Sequence, residues 1–162
     1  MEVTEPLQTV MIHTDGACRG NPGPGGFAAV LVCGAARKEI SGGFRCTTNN
    51  RMEVMAAIAA LECLKFPCRV ELYSDSSYLV NAVARGWLRR WRSSGWKKLD
   101  GKPVLNADLW ERLLTAMSPH RIDFHWVRGH ADHTENLRCD ELAVAAAAAP
   151  GLPPDPGRST LS

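Results

Sequence analysis

The chain has 162 residues, which suits one domain with a core large enough to fold without disulfide or metal staples. Hydrophobic residues make up 45% of it, which argues against wholesale disorder, and no apolar run approaches the ~20 residues that span a bilayer. The formal net charge of +2 hides an asymmetry: residues 85–98 hold six of the nineteen Lys and Arg and no acid, so the rest of the chain is mildly acidic and one patch is suited to polyanions.

Residues 1–6 read as a flexible N-terminus with no signal pattern, so the expected location is the cytoplasm. Residues 7–14 (LQTVMIHT) have strand character. DGACRGNPGPGG follows, a loop too rich in Gly and Pro to be helical. Residues 27–33 and 37–44 read as two strands joined by a three-residue turn, an antiparallel hairpin. Residues 50–65 form a well-buried helix, because Met52, Met55, Ala56, Ala59 and Cys63 follow helical spacing and Val54, Ile58, Leu61 and Leu64 widen the stripe. A strand over 69–74 and a short helix over 76–84, stopped near Gly86, come next. The basic stretch mixes helix with a loop around Gly95, Gly101 and Pro103.

Asn106 or Asp108 caps a helix that runs to Met117, and residues 121–127 are the last strand. After RGHADHTEN a helix covers about 137–149, and the prolines from Pro150 onward make 150–162 a disordered tail. The order βββ-α-β-α-α-α-β-α implies an α/β fold, one mixed five-stranded sheet flanked by helices. The folded domain then spans 7–149, with a basic protrusion over 85–105. The cysteines Cys18, Cys33, Cys46, Cys63, Cys68 and Cys139 lack CxxC spacing, so reduced thiols are expected rather than a zinc ribbon or a disulfide framework.

Four acids sit where the backbone changes type. Asp15 ends the first strand, Glu53 lies in the first turn of the long helix, Asp75 ends the fourth strand and Asp140 opens the last helix. Such positions project into the crevice of an open sheet, and Asp15 and Asp75 emerge side by side if their strands are neighbours. Each also has an ordinary explanation. Asp15–Gly16 can be a turn, Asn50 to Glu53 a capping box, Ser74–Asp75–Ser76 a helix cap, and Asp140 a partner of a helix dipole.

The flanking segments separate these readings. TDGACRGNPGPGG, TTNNRMEVMAAIAAL, SDSSYLV and WVRGHADHTENLRCDELA resemble, in order and spacing, the blocks of type-1 ribonuclease H as found in bacterial ribonuclease HI. The resemblance covers residues 9–148 and implies the ribonuclease H-like fold. It also implies hydrolysis of the RNA strand of RNA–DNA hybrids to 5′-phosphate and 3′-hydroxyl products, a task that would remove primers and stray hybrids. It implies Asp15, Glu53, Asp75 and Asp140 as ligands of two Mg²⁺ ions, with Mn²⁺ able to substitute. Physics agrees, since crowded carboxylates repel unless cations neutralise them, and hard divalent ions take oxygen ligands. Two such ions can clamp the attacking and leaving oxygens of a phosphodiester.

His130 with His133 invites a zinc reading, but no other ligand lies near to complete a tetrahedral set. It can be a surface histidine; the resemblance implies a proton shuttle, a role that an imidazole titrating near ~6.5 suits. The glycine loop lacks nucleotide-loop spacing and enters a strand. The resemblance implies close backbone approach to the hybrid at Gly16, Cys18 and Asn21. It also implies minor-groove contacts from Thr48, Asn49 and Asn50, where an A-like groove exposes 2′-hydroxyls. Ser77 replaces the usual Gln of the family, a shorter side chain at one groove contact, and Asp132 adds an unusual acid beside His130.

In the basic stretch, Trp87, Trp91 and Trp96 interleave with Arg89, Arg90, Arg92, Lys97 and Lys98. Two readings are compatible: tryptophans packed on the body with charges in water, and a handle for the DNA strand that neutralises phosphates. Trp91 and Trp96 are expected to be structural and Trp87 to touch substrate. The expected partner is the hybrid, with no membrane, and the expected state is a monomer. A junction resolvase or integrase core on the same fold, and a module that binds hybrids without cutting, are the rival functions. The basic arm opposes the first, and four clustered acids oppose the second.

Overall fold

The computed structural model describes residues 7–128 and 134–157. Five strands form one sheet in the order β3-β2-β1-β4-β5. They are β1 (Gln8–Cys18), β2 (Gly23–Cys33), β3 (Ala36–Thr47), β4 (Cys68–Ser74) and β5 (Arg121–Trp126). β1, β2 and β3 pair antiparallel, whereas β4 lies parallel to β1 and β5 parallel to β4. The helices are α1 (Asn49–Glu62), α2 (Ser77–Ala84), α3 (Trp87–Ser93), α4 (Ala107–Met117) and α5 (Thr134–Ala147). This is the mixed, helix-flanked sheet expected from the order of elements, hairpin included. No helix of the described residues is long and apolar enough to cross a membrane. Among the described residues no cysteine is in a disulfide.

The sheet is buried on both faces by alternation along β2. Ala29 and Leu31 join the main core with Ile12, Leu72, Ile58 and Leu61 beneath α1. Ala28 and Val30 point the other way, against Cys139 and Ala143 of α5. Burial of a side chain such as Ile58 or Leu61 contributes about 1.5–3 kcal/mol. α5 is alanine-rich because it lies almost on the sheet: a Cβ at Gly26 would stand 2.2 Å from the Ala143 carbonyl oxygen.

Three boundaries differ from expectation, each for a tertiary reason. β1 continues past Asp15 to Cys18 and β2 starts at Gly23, so most of the supposed loop is sheet, with Ala17 paired to Gly26 and Cys18 to Gly25. α5 begins at Thr134 rather than near residue 137, because Glu135 and Arg138 are held by Arg37 and Glu39 of β3. Residues 150–157, read from sequence as disordered, lie back over β3 and α1: Pro153 accepts from the Arg45 amide, and Asp155 is 4% exposed.

Candidate metal centre and nucleic-acid interface

β1 and β4 place two carboxylates side by side. Their register pairs Thr14 with Ser74, so Asp15 and Asp75 are the next residues on adjacent parallel strands. β5 braces the same end, where the Val127 amide donates to the Ser74 carbonyl and Trp126 Nε1 to the Asp75 carbonyl at 3.1 Å. α1 brings the third carboxylate. Thr48 caps that helix, its hydroxyl accepting from the Arg51 amide at 3.2 Å. The capping box offered as the ordinary explanation of Asn50 and Glu53 is therefore not formed, and Glu53 lies in the second turn rather than the first.

Oxygens of Asp15, Glu53 and Asp75 all fall within 4.8 Å of one another. Asp15 and Glu53 are buried, and Asp15 Oδ2 and Glu53 Oε2 have no hydrogen-bond partner among the described residues. Burial, then the Asp75 charge, pushes the Asp15 carboxyl from 3.8 up to about 8, with Asp140 adding to the rise and the Gly16 amide opposing it. Glu53 is pushed well up by burial and then by Asp15 and Asp75. Asp140, in the second turn of α5 rather than at its start, thus joins the group through Asp15. Buried carboxyl oxygens without donors among the described residues, in an all-carboxylate set, match what a hard divalent cation needs and what a zinc thiolate site does not.

Gly16 is what lets the two elements meet. A Cβ there would lie 2.6 Å from the Glu53 nitrogen, so the close approach it permits is to α1 rather than to an exposed ligand. Gly16→Ala should force the start of α1 away from β1 and lower hydrolytic activity at least about tenfold, with destabilisation of about 1–3 kcal/mol. Wild-type turnover with unchanged unfolding would show that the helix accommodates a methyl group.

Around the carboxylates, Asn49, Asn50 and Ser77 line one shallow hollow with Glu53 and Asp75. Asn21 Oδ1 accepts from the Asn49 amide at 3.1 Å, which ties the β1–β2 turn to α1. The Cys18 thiol is directed inward, to the Gly23 and Thr47 carbonyls. His130, with Asp132 and His133, lies outside the described residues.

The basic stretch divides. Trp87, Trp91 and Trp110 form a row with centroids 6.0 and 6.3 Å apart, and Trp96 Nε1 donates to Glu111, so all three arm tryptophans pack on the body. One hollow is lined by Trp87, Arg90, Trp91, Lys97, Lys98 and Leu99. Arg89 and Arg92 line a different one with Leu114, Met117 and His120. Three neighbouring arginines expected to form one handle thus belong to two faces of α3, as helical spacing requires.

Sequence reasoning missed His13, Asn136 and Trp126, of which Asn136 bonds His13 and the Tyr73 carbonyl and Trp126 the Asp75 carbonyl. Their signal is weak: His13 and Trp126 read as ordinary strand residues, and Asn136 as loop.

A sequence-family profile described as RNase H matches residues 7–148. The chain belongs to the RNase H family. It is 58% identical over 151 residues to the ribonuclease H of Nitratidesulfovibrio vulgaris strain Miyazaki F, covering 93% of this chain and 97% of that protein. The crystal structure of LC9-RNase H1, a type 1 RNase H with the type 2 active-site motif, matches with a TM-score of 0.79 at 31% identity, over 90% of this chain and 74% of that one. LC11-RNase H1, solved in complex with an RNA/DNA hybrid, matches with a TM-score of 0.65 at 26% identity, over 85% and 96%. As an RNase H, the protein has Asp75 just past the end of β4 with Asp15 beside it on β1, on the side of the sheet where open α/β sheets bind ligands.

Proposed function

We propose that this RNase H hydrolyses the RNA strand of RNA–DNA hybrids endonucleolytically, leaving 5′-phosphate and 3′-hydroxyl ends, and so removes primers and stray hybrids in the cytoplasm. The observation that carries the reading is the triad of converging carboxylates, two of them buried with oxygens that have no partner among the described residues, where β1, the end of β4 and α1 meet in an RNase H chain. Asp15, Glu53, Asp75 and Asp140 would hold two divalent cations, Mg²⁺ in the cell. When bound, the ions supply Lewis-acid stabilisation of the phosphodiester and lower the pKa of water.

The chain's own groups orient the strands. Asn49, Asn50 and Ser77 stand where a minor groove would cross Glu53 and Asp75, and their short polar side chains suit 2′-hydroxyls and base edges. His130 is proposed to move a proton near the scissile bond, as the family resemblance implies. Arg90, Lys97 and Lys98, around Trp87, Trp91 and Leu99, form the face proposed to meet the DNA strand. Their replacement by Ala should reduce the slope of log affinity against log salt by about 2 to 3, roughly one for each phosphate no longer neutralised. An unchanged slope would remove the phosphate role from this face. The protein is proposed to act as a monomer through one catalytic domain over 7–149.

The test is cleavage of an end-labelled hybrid with and without Mg²⁺, beside single-stranded RNA, duplex RNA and duplex DNA. Mg²⁺-dependent cutting of the hybrid's RNA alone, lost in Asp75→Asn, is the expected result. Tight hybrid binding without cutting would make this a binding module, and cutting of DNA junctions would make it a resolvase.

A further inference from the structure

Among the four acids, Asp140 is set apart. Asp15, Glu53 and Asp75 converge directly, whereas Asp140 meets them through Asp15 from a helix on the other side of the sheet. Its placement depends on how the first turns of α5 are held.

Among the described residues, two sets of contacts hold them. Toward β3, Arg37 is bidentate to Glu135 at 2.9 and 3.0 Å, and Arg138 to Glu39 at 2.9 and 3.1 Å. These are surface pairs, individually weak and screened by salt. Toward β1 and β4 the anchor is buried. Asn136 is 2% exposed and lies one turn before Asp140, on the same helix face. Its Oδ1 is 2.7 Å from His13 Nδ1, and its Nδ2 reaches the Tyr73 carbonyl at 3.5 Å. With Nδ2 directed at a carbonyl, Oδ1 is the acceptor and His13 Nδ1 the donor.

His13 is well placed for this. It precedes Asp15 by two residues on β1, so both side chains project from one face of the strand. It pairs in register with Tyr73, which stands two residues before Asp75. Its ring is held flat against Tyr73, centroids 5.1 Å apart, and Tyr73 stacks in turn on His125 at 4.8 Å. The backbone reaches the same helix, since the Cys139 thiol donates to the His13 carbonyl at 3.1 Å.

We propose that His13, acting through Asn136, is a positioning residue that sets Asp140 against the other three carboxylates and thereby sets the affinity of the site for a divalent cation. This rests on the carboxylates being the metal ligands. Groups that orient metal ligands typically change affinity 10- to 100-fold when removed.

The test is Mn²⁺ binding to the full chain, followed by calorimetry without nucleic acid, together with the Mg²⁺ dependence of hybrid cleavage. His13→Phe keeps a ring against Tyr73 and removes the donor. His13→Asn returns a donor near the position of Nδ1 without the ring. His13→Phe should weaken Mn²⁺ binding about tenfold and raise the half-saturating Mg²⁺ concentration alike, with kcat at saturating metal within about twofold. His13→Asn should recover most of the loss. Asn136→Ala, which removes the acceptor, should reproduce the His13→Phe effect and supplies the test should that variant fold poorly. Wild-type Mn²⁺ affinity in His13→Phe or in Asn136→Ala would overturn the proposal, as would a His13→Asn variant no better than His13→Phe. A wild-type protein that binds no Mn²⁺ would instead overturn the carboxylate metal site itself.

Discussion

Asp15→Asn is expected to lower hybrid cleavage by about 10³-fold or more while making the metal-free protein more stable at alkaline pH. The first effect follows from removing a charge on which transition-state electrostatics depend. The second follows from the same charge being costly without a cation. Burial and then Asp75 raise the Asp15 carboxyl from 3.8 to about 8. A carboxyl that holds its proton more tightly when folded stabilises the fold at low pH, and that contribution is lost as pH rises from about 4 toward 8. Glu53 is raised by burial and by Asp15, so the substitution relieves it as well.

In chelator, Asp15→Asn should unfold about 5–10 °C above wild type at pH 9, and the gap should close toward pH 4. Divalent cation should narrow it from the other side by stabilising only wild type. Scanning calorimetry across pH decides the matter. A variant less stable than wild type at pH 9 would mean that the Asp15 charge is already compensated within the fold.

Arg51→Met should destabilise the protein by about 3–5 kcal/mol, lowering the melting temperature by on the order of 10 °C. The Arg51 guanidinium is 3% exposed and bonds Asp155 through Nε at 2.7 Å and Asp108 through Nη2 at 2.7 Å. Burial opposes its charge, and the two carboxylates more than offset that opposition. Without Arg51, Asp155 keeps the Thr47 hydroxyl at 2.7 Å but stays buried with an uncompensated charge. Burial raises Asp155 and the Arg51 bonds lower it, the net effect being a carboxyl below its usual 3.8. That pair therefore stabilises at neutral pH and ceases to do so as pH falls below about 4. Arg51→Met combined with Asp155→Leu should recover most of the lost stability, because an apolar pair of similar volume often replaces a buried ion pair at little cost. Failure of the double variant to recover would place the stability in the Asp108 and Asn106 bonds instead.

Arg51 also shows where the chain alone stops being legible. Asp155 sits among prolines, in a segment whose composition says coil, and its partner is 104 residues away. Composition reports that such a segment lacks a core of its own, not that another element offers it a buried charge. The arm shows a related limit. Arg89, Arg90 and Arg92 are neighbours in sequence, but α3 sends Arg90 to the tryptophan side and Arg89 and Arg92 to the other.

The features legible in the chain are those encoded locally. Apolar periodicity marked α1, β-branched runs marked the strands, and four motif blocks in order marked the family and its acids. The alternation of elements was enough for a mixed sheet, because a hairpin and helix-linked strands leave few other solutions. How those parts meet was settled only by folding. Strand register set Asp15 beside Asp75, a missing Cβ at Gly16 let Glu53 close on them, and ion pairs to β3 extended α5 past its sequence signal. His13 reads as one more residue of a strand until Asn136 arrives from 123 positions away. Long-range contacts of this kind leave no periodicity in the chain, because each depends on the complementary surface that another segment presents after folding.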